Sequence, residues 1–133
     1  MKEINKIQKA ILTLIKETSF NRFDGKKIYK DLINNSHLWE GVVYGRFGLH
    51  DLVILRDLPQ GVYNADEMYV SVPNKKLNKF KRLIKGWEYS DINTISLSPP
   101  ESRISDPSTR MALFNRWGDT DTGDLTIIRL WWH

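Results

Sequence analysis

The sequence predicts a single domain of the α+β class, in which two N-terminal helices precede a mainly antiparallel sheet. Apolar residues recur at helical spacing up to residue 35, whereas after Gly41 short apolar runs alternate with turn residues, as strands do. A chain of 133 residues has the usual length of one domain and can bury a sizeable core. We therefore expect one domain over residues 1–133, with a helical part (1–36) packed on a sheet formed within residues 42–132.

The two N-terminal helices follow from different signals. Isoleucine and leucine recur every three or four positions, which predicts a helix over residues 3–18. The residues concerned are Ile4, Ile7, Ile11, Leu14 and Ile15. A second helix is predicted over residues 25–35, where the Asp24 carboxylate can cap the first turn.

Apolar runs separated by turns predict the strands. These runs cover residues 42–44, 52–55, 68–72, 92–97, 111–117 and 125–132, and the arm 111–117 can alternatively be helical. Gly48, the segment 58–61 with Pro59 and Gly61, and the segment 118–124 supply turn residues between them. Residues 98–110 show no periodicity, and a loop of that length is usually functional or mobile.

The most distinctive segment is residues 74–87, which we call the basic helix. It holds six basic residues and no acidic one, although the net charge of the whole chain is only +4. Helical spacing places its apolar residues on one side and all basic residues except Lys76 on the other. The outward basic residues are Lys75, Lys79, Lys81, Arg82 and Lys85. Because strands are predicted before and after it, this amphipathic helix is the expected crossover of a βαβ unit.

The basic helix gives the leading hypothesis for function. A dense positive face can attract a polyanion, and lysine and arginine can neutralise phosphates. We therefore expect a non-enzymatic binding domain that contacts an acidic partner, with nucleic acid favoured over an acidic protein surface. The same pattern is also typical of the solvated side of an amphipathic helix, so that alternative stays open.

A second nucleic-acid interpretation uses the N-terminal half. Two helices, the segment 36–46, and strands near 52–57 and 67–72 follow the order of a winged helix, whose third helix enters the major groove. The segment contains poor helix formers, however, which favours a strand where the recognition helix should be. These residues are Gly41, Val42, Val43 and Gly45.

The enzymatic alternative is a small metal- or histidine-dependent hydrolase resembling a nuclease. If strands 42–44 and 52–55 pair, His50 and Asp51 can meet Arg46 and Arg56. Carboxylates can also bind a metal, and two sets are available. These are Asp57, Asp66 and Glu67 across a hairpin, and Asp119, Asp121 and Asp124 in a turn. The second set lacks the glycine and glutamate positions of an EF-hand, so we assign no catalytic residue, metal or cofactor.

A third alternative is an assembly or inhibitor protein that docks through a tryptophan-bearing face. Trp131 and Trp132 are neighbours, so on a strand their side chains point to opposite faces. We expect a sheet covered on both faces to bury both rings, while an exposed ring would mark an interface.

Composition excludes several classes of site and compartment. The chain has no cysteine, so disulfides, thiolate nucleophiles and cysteine-ligated metals are excluded. Residues 11–15 are apolar except for Thr13, and this segment is too short and too interrupted for a secretory core or a membrane span. We therefore expect a soluble cytoplasmic protein without a membrane partner, and its oligomeric state is left open.

Overall fold

The computed structural model consists of an antiparallel sheet with helices packed on it. The described residues are 3–20, 22–45, 51–63, 65–96 and 124–132. Their α-helices are α1 (Lys6–Lys16), α2 (Gly25–Asn34), α3 (Asp51–Asp57) and α4 (Leu77–Leu83). Their strands are β1 (Ser19–Phe20), β2 (Phe23–Asp24), β3 (Gly41–Gly45), β4 (Glu67–Pro73), β5 (Asp91–Ser96) and β6 (Leu125–Trp131). The predicted α+β class is thus confirmed.

Both N-terminal helices begin where a side chain can satisfy a free backbone N–H group. The side chain of Asn5 accepts a hydrogen bond from the Gln8 N–H at 2.8 Å. The Asp24 carboxylate accepts one from the Lys27 N–H at 3.2 Å, as the sequence predicts. Each cap satisfies one of the amide groups that a first helical turn leaves without an internal partner.

The main sheet has the strand order β3-β4-β6-β5, and every neighbouring pair is antiparallel. Since β4 and β5 are both antiparallel to β6, they run parallel to each other with β6 between them. The helical segment between β4 and β5 is therefore a crossover that spans one intervening strand. Val70 pairs with Ile128 at the centre of the sheet, and both side chains are fully buried.

A side chain of α1 closes the β3 edge of this sheet. The Gln8 amide donates to the Val42 carbonyl oxygen at 2.8 Å and accepts from the Val42 N–H at 3.0 Å. A glutamine amide thus takes the place of a neighbouring strand at this residue. Satisfying edge groups in this way removes a template for pairing with another chain.

The sequence-based assignment of residues 52–55 to a strand is wrong, because they lie in α3. A run of four apolar residues does not distinguish a strand from a short helix. In α3, Leu52 and Leu55 are both exposed and lie three positions apart, which places them on the same side of the helix. The turn at Leu58–Gln60 continues as a 3₁₀-helix and ends at Gly61, whose φ of 75° suits glycine. With β3 a strand and α3 a helix, the winged-helix order is also wrong.

Several other predicted features fall on residues that the structure does not describe. The turn at Gly48, the segment 98–110 and the arm 111–117 lie outside the described residues. Of the predicted turn 118–124, only Asp124 is described.

One hydrophobic core joins the helices to the sheet. Its largest fully buried side chains include Trp39, Trp87 and Trp132. Phe23 stacks on Tyr44 at a ring-centroid distance of 4.7 Å and meets Trp132 edge-on at the same distance. The expectation that both C-terminal tryptophans are buried is wrong for Trp131. That ring lies on the opposite face of β6, half-buried, with the Arg129 guanidinium 5.0 Å from its centroid.

We predict that Gly25→Ala strongly destabilises the fold. A Cβ atom at Gly25 would lie 2.0 Å from the Ile15 carbonyl oxygen and 2.2 Å from that of Thr18, so the backbones of α1 and α2 must separate. We expect the free energy of unfolding to fall by about 3 kcal/mol in urea titrations. Gly86→Ala is the matched control, since within 3.0 Å its Cβ would meet only the terminal nitrogen of the long Lys27 side chain. Equal stability of the two variants would contradict this packing.

We also predict a pH-dependent role for Tyr44. Burial raises the pKa of Tyr44 well above its ordinary value, and its hydroxyl donates to the Ala65 carbonyl. Its contribution to stability is therefore complete below the unfolded-state pKa of about 10 and is lost as the pH rises above it. Tyr44→Phe should lower stability by about 1 kcal/mol at neutral pH, because it removes a buried hydrogen bond. Urea titrations at increasing alkalinity should then show a smaller loss in the variant than in the wild type. Parallel pH profiles would contradict the prediction.

Candidate polyanion-binding surface

The basic helix consists of α4 with a 3₁₀ turn at each end, Asn74–Lys76 and Ile84–Trp87. Its apolar side faces the core, where Phe80, Ile84 and Trp87 are buried. The ring of Phe80 meets that of Trp87 edge-on at 6.0 Å. This burial fixes the rotation of the segment about its axis, so the opposite side faces solvent.

The five basic side chains predicted to point outward are all exposed. These are Lys75, Lys79, Lys81, Arg82 and Lys85. Lys76, which helical spacing places near the apolar side, is half-buried and donates to the His37 carbonyl oxygen. Among the described residues, the ion pairs are Arg56 with Asp57 and Arg129 with Glu67, and neither involves the basic helix. No described carboxylate therefore forms an ion pair with these five side chains.

The distribution of like charges on this surface is unfavourable for the isolated fold. Lys79 and Arg82 are three positions apart, and Lys81 and Lys85 four positions apart. Like charges at these separations each destabilise a helix by a few tenths of a kcal/mol, whereas alternating lysine and glutamate would stabilise it. A bound polyanion would offset this repulsion.

Hydrogen bonds in the core hold the C-terminal end of the basic helix. The Trp87 indole N–H donates to the Asp31 carboxylate of α2 at 2.8 Å. The Trp132 indole N–H donates to the Trp87 carbonyl oxygen at 2.8 Å. The basic surface is thus presented on a fixed element, which lowers the entropy lost on binding.

Acidic side chains limit the basic surface at its N-terminal end. Glu40 and Asp124 line a cleft together with Lys75 and Lys76. These carboxylates lower the local positive potential there. The strongest attraction for an anion is therefore expected toward the half of the helix that carries Lys79 to Lys85.

The carboxylates proposed for metal binding have other partners. Asp57 accepts two hydrogen bonds from the Arg56 guanidinium at 2.8 and 3.0 Å. Glu67 accepts hydrogen bonds from Arg129 and, at 3.2 Å, from the Tyr69 hydroxyl. No group of three metal-binding side chains occurs among the residues that the structure describes. The described chain thus offers no support for a carboxylate metal site.

The proposed histidine cluster loses its geometric basis. It depended on pairing between strands 42–44 and 52–55, and the second of these is α3. Arg56 is exposed on that helix beside Asp57. His50 and the acids Asp119 and Asp121 lie outside the described residues.

A polar cluster that the sequence does not predict lies on the sheet face opposite the core. There Arg129 pairs with Glu67, and this hydrogen bond raises the pKa of Arg129. Register places Tyr69 directly opposite Arg129, and Trp131 directly opposite Glu67. Because side chains alternate along a strand, these four residues lie on one face of β4 and β6. The pairing of β4 with β6 could not be deduced from local sequence.

We predict that Lys79→Glu stabilises the folded protein at low ionic strength. The new carboxylate would lie one helical turn from Lys75 and Arg82, replacing repulsion with attraction. We expect urea titrations to show a gain of a few tenths of a kcal/mol that disappears at high salt, because exposed charges are screened. Lys9→Glu on α1 is the control for a change in net charge. A loss of stability in the Lys79 variant would show that repulsion on the basic helix is negligible.

The whole chain was compared with protein-family models, with curated proteins and with solved structures, and no match was found in any of the three. Within the described residues, no helix is both long enough and apolar enough to cross a membrane.

Proposed function

We propose that this protein is a non-enzymatic binding domain that contacts nucleic acid through the basic helix. The observation that carries the proposal is the set of five exposed cations on a helix whose other side is anchored in the core. Their positive charge remains available because, within the described residues, they form no ion pair.

Phosphate neutralisation is the physical source of affinity in this proposal. A protein that neutralises phosphates releases condensed counterions, so its affinity falls steeply as salt increases. Five contacts to a duplex would give a slope of about −4.5 in a plot of log K against log salt concentration. A weaker slope would indicate that fewer of the five side chains participate.

The length of the row of cations along the basic helix, which we call the basic row, favours nucleic acid over an acidic protein surface. Residues 75–85 span about 15 Å along a helix. One strand of duplex DNA carries a phosphate about every 3.4 Å of axis, so about four phosphates lie beside that length. Protein surfaces usually mix both signs of charge, whereas a row of cations uninterrupted by acids matches the uniform charge of a phosphate backbone.

We predict that charge reversal on the basic helix abolishes nucleic-acid binding. The variant replaces Lys79, Arg82 and Lys85 by glutamate, and the measurement is fluorescence anisotropy with labelled duplex DNA, single-stranded DNA and RNA at low and near-physiological salt. We expect binding by the wild type that weakens with salt, and no binding by the variant. Circular dichroism should show an unchanged fold, since the substituted side chains are exposed.

A matched variant separates a local site from the effect of net charge. Lys6, Lys9 and Lys16 of α1 are also exposed, and their replacement by glutamate changes the net charge equally. This control should retain most of the binding. An equal loss in both variants would contradict a site on the basic helix. Absence of wild-type binding at low salt would reject nucleic acid and leave an acidic protein surface as the alternative partner.

A further inference from the structure

We infer that the binding surface has a second row of cations on α2, formed by Lys27 and Lys30, and that its ligand is a nucleic-acid duplex. This inference rests on the proposed function, because it extends the same surface. Neither lysine belongs to the segment that the sequence marks as basic.

A direct contact joins α2 to the C-terminal end of the basic helix. The Lys27 ammonium group donates to the Gly86 carbonyl oxygen at 2.9 Å, although the two residues are 59 positions apart. Gly86 immediately follows Lys85, so the charge of Lys27 is held beside the end of the basic row. Carbonyl groups at a helix C-terminus favour a nearby cation, which helps keep Lys27 in place.

The contact is reinforced one helical turn further along α2. There Asp31 accepts the hydrogen bond from the Trp87 indole at 2.8 Å. Asp31 is half-buried, and this bond directs its carboxylate toward the core residue Trp87. The acidic residue therefore lies at the contact between the two elements, beside Lys27, and Lys30 lies outside it.

Lys30 extends the second row away from this contact. It lies three positions after Lys27 and is therefore its neighbour on the helix surface. Both side chains are exposed, and in the part of the chain that the structure describes neither forms an ion pair. The surface thus carries one row of cations along the basic helix and a shorter row along α2.

The presence of two rows favours a duplex. Lys27 meets the C-terminal turn of the basic helix at Gly86, and Lys30 lies beyond that contact on α2, so the two rows follow different elements of the fold. Two rows can meet the phosphates of both strands that border a groove. A single strand offers one line of phosphates, which the basic helix alone can contact.

The test replaces Lys27 and Lys30 by glutamate and compares a labelled duplex with a single strand of the same length. We expect the variant to bind the duplex at least severalfold more weakly, with a salt slope shallower by about two, because two phosphate contacts are lost. Binding of the single strand should change much less. Lys6/Lys9→Glu on α1 carries the same change of net charge and should affect neither ligand.

The outcomes distinguish this inference from the proposed function. Normal duplex binding by the α2 variant, together with loss in the Lys79/Arg82/Lys85 variant, would overturn the second row and leave the basic helix as the site. Equal weakening for both nucleic acids would overturn the preference for a duplex. Absence of all wild-type binding would reject both proposals. Since Lys27 makes a hydrogen bond, Lys30→Glu alone repeats the test without disturbing that contact.

Discussion

Two indole N–H groups determine how this fold presents its charged surface. Trp132, directly after β6, donates to the carbonyl oxygen of Trp87, and Trp87 donates to the Asp31 carboxylate of α2. Both indoles are buried, so leaving either N–H group without a partner would be costly. These bonds connect a central strand, the crossover helix and an N-terminal helix. With Trp87 fixed, the basic helix cannot rotate its charged side inward, and α2 must lie beside its C-terminal turn.

The sequence was most informative where one periodicity extended over many residues. The amphipathic pattern of residues 74–87 places Phe80 and Trp87 inward, and the structure buries both. The long apolar run 125–132 likewise predicts β6, and there Thr126, Ile128 and Leu130 are buried in turn. The pattern was ambiguous for Leu52 to Leu55, because four consecutive apolar residues satisfy a strand and a short helix equally well. Local spacing therefore predicts an element reliably only when that element is long enough to distinguish the two periods.

Contacts between residues that are far apart in the chain could not be predicted from local spacing. The position of β6 between β4 and β5 depends on pairing between segments that are far apart in the chain. The sequence of a single strand does not specify which other strand it pairs with. The bond from Lys27 to Gly86 has the same origin. From sequence alone, Lys27 is one of several lysines on a surface helix. Only the packing of α2 against the crossover places it beside Lys85, which explains why the predicted site included the basic helix and omitted α2.

The distribution of charge also bears on the choice between a solvated surface and a binding surface. The basic helix contains six of the 20 basic residues and none of the 16 acidic ones. The remainder of the chain is therefore slightly negative, with an excess of basic residues up to residue 34 and an excess of acidic residues in 35–73 and 88–133. A helix that served only to cover the core could include acidic residues and would gain stability from pairs of opposite charge. Concentrating positive charge on one helix instead makes the electrostatic potential of the molecule asymmetric, and this asymmetry steers a polyanion toward that side during encounter. The physical cost of this arrangement is repulsion within the helix, and the buried contacts of Phe80, Ile84 and Trp87 are what offset it.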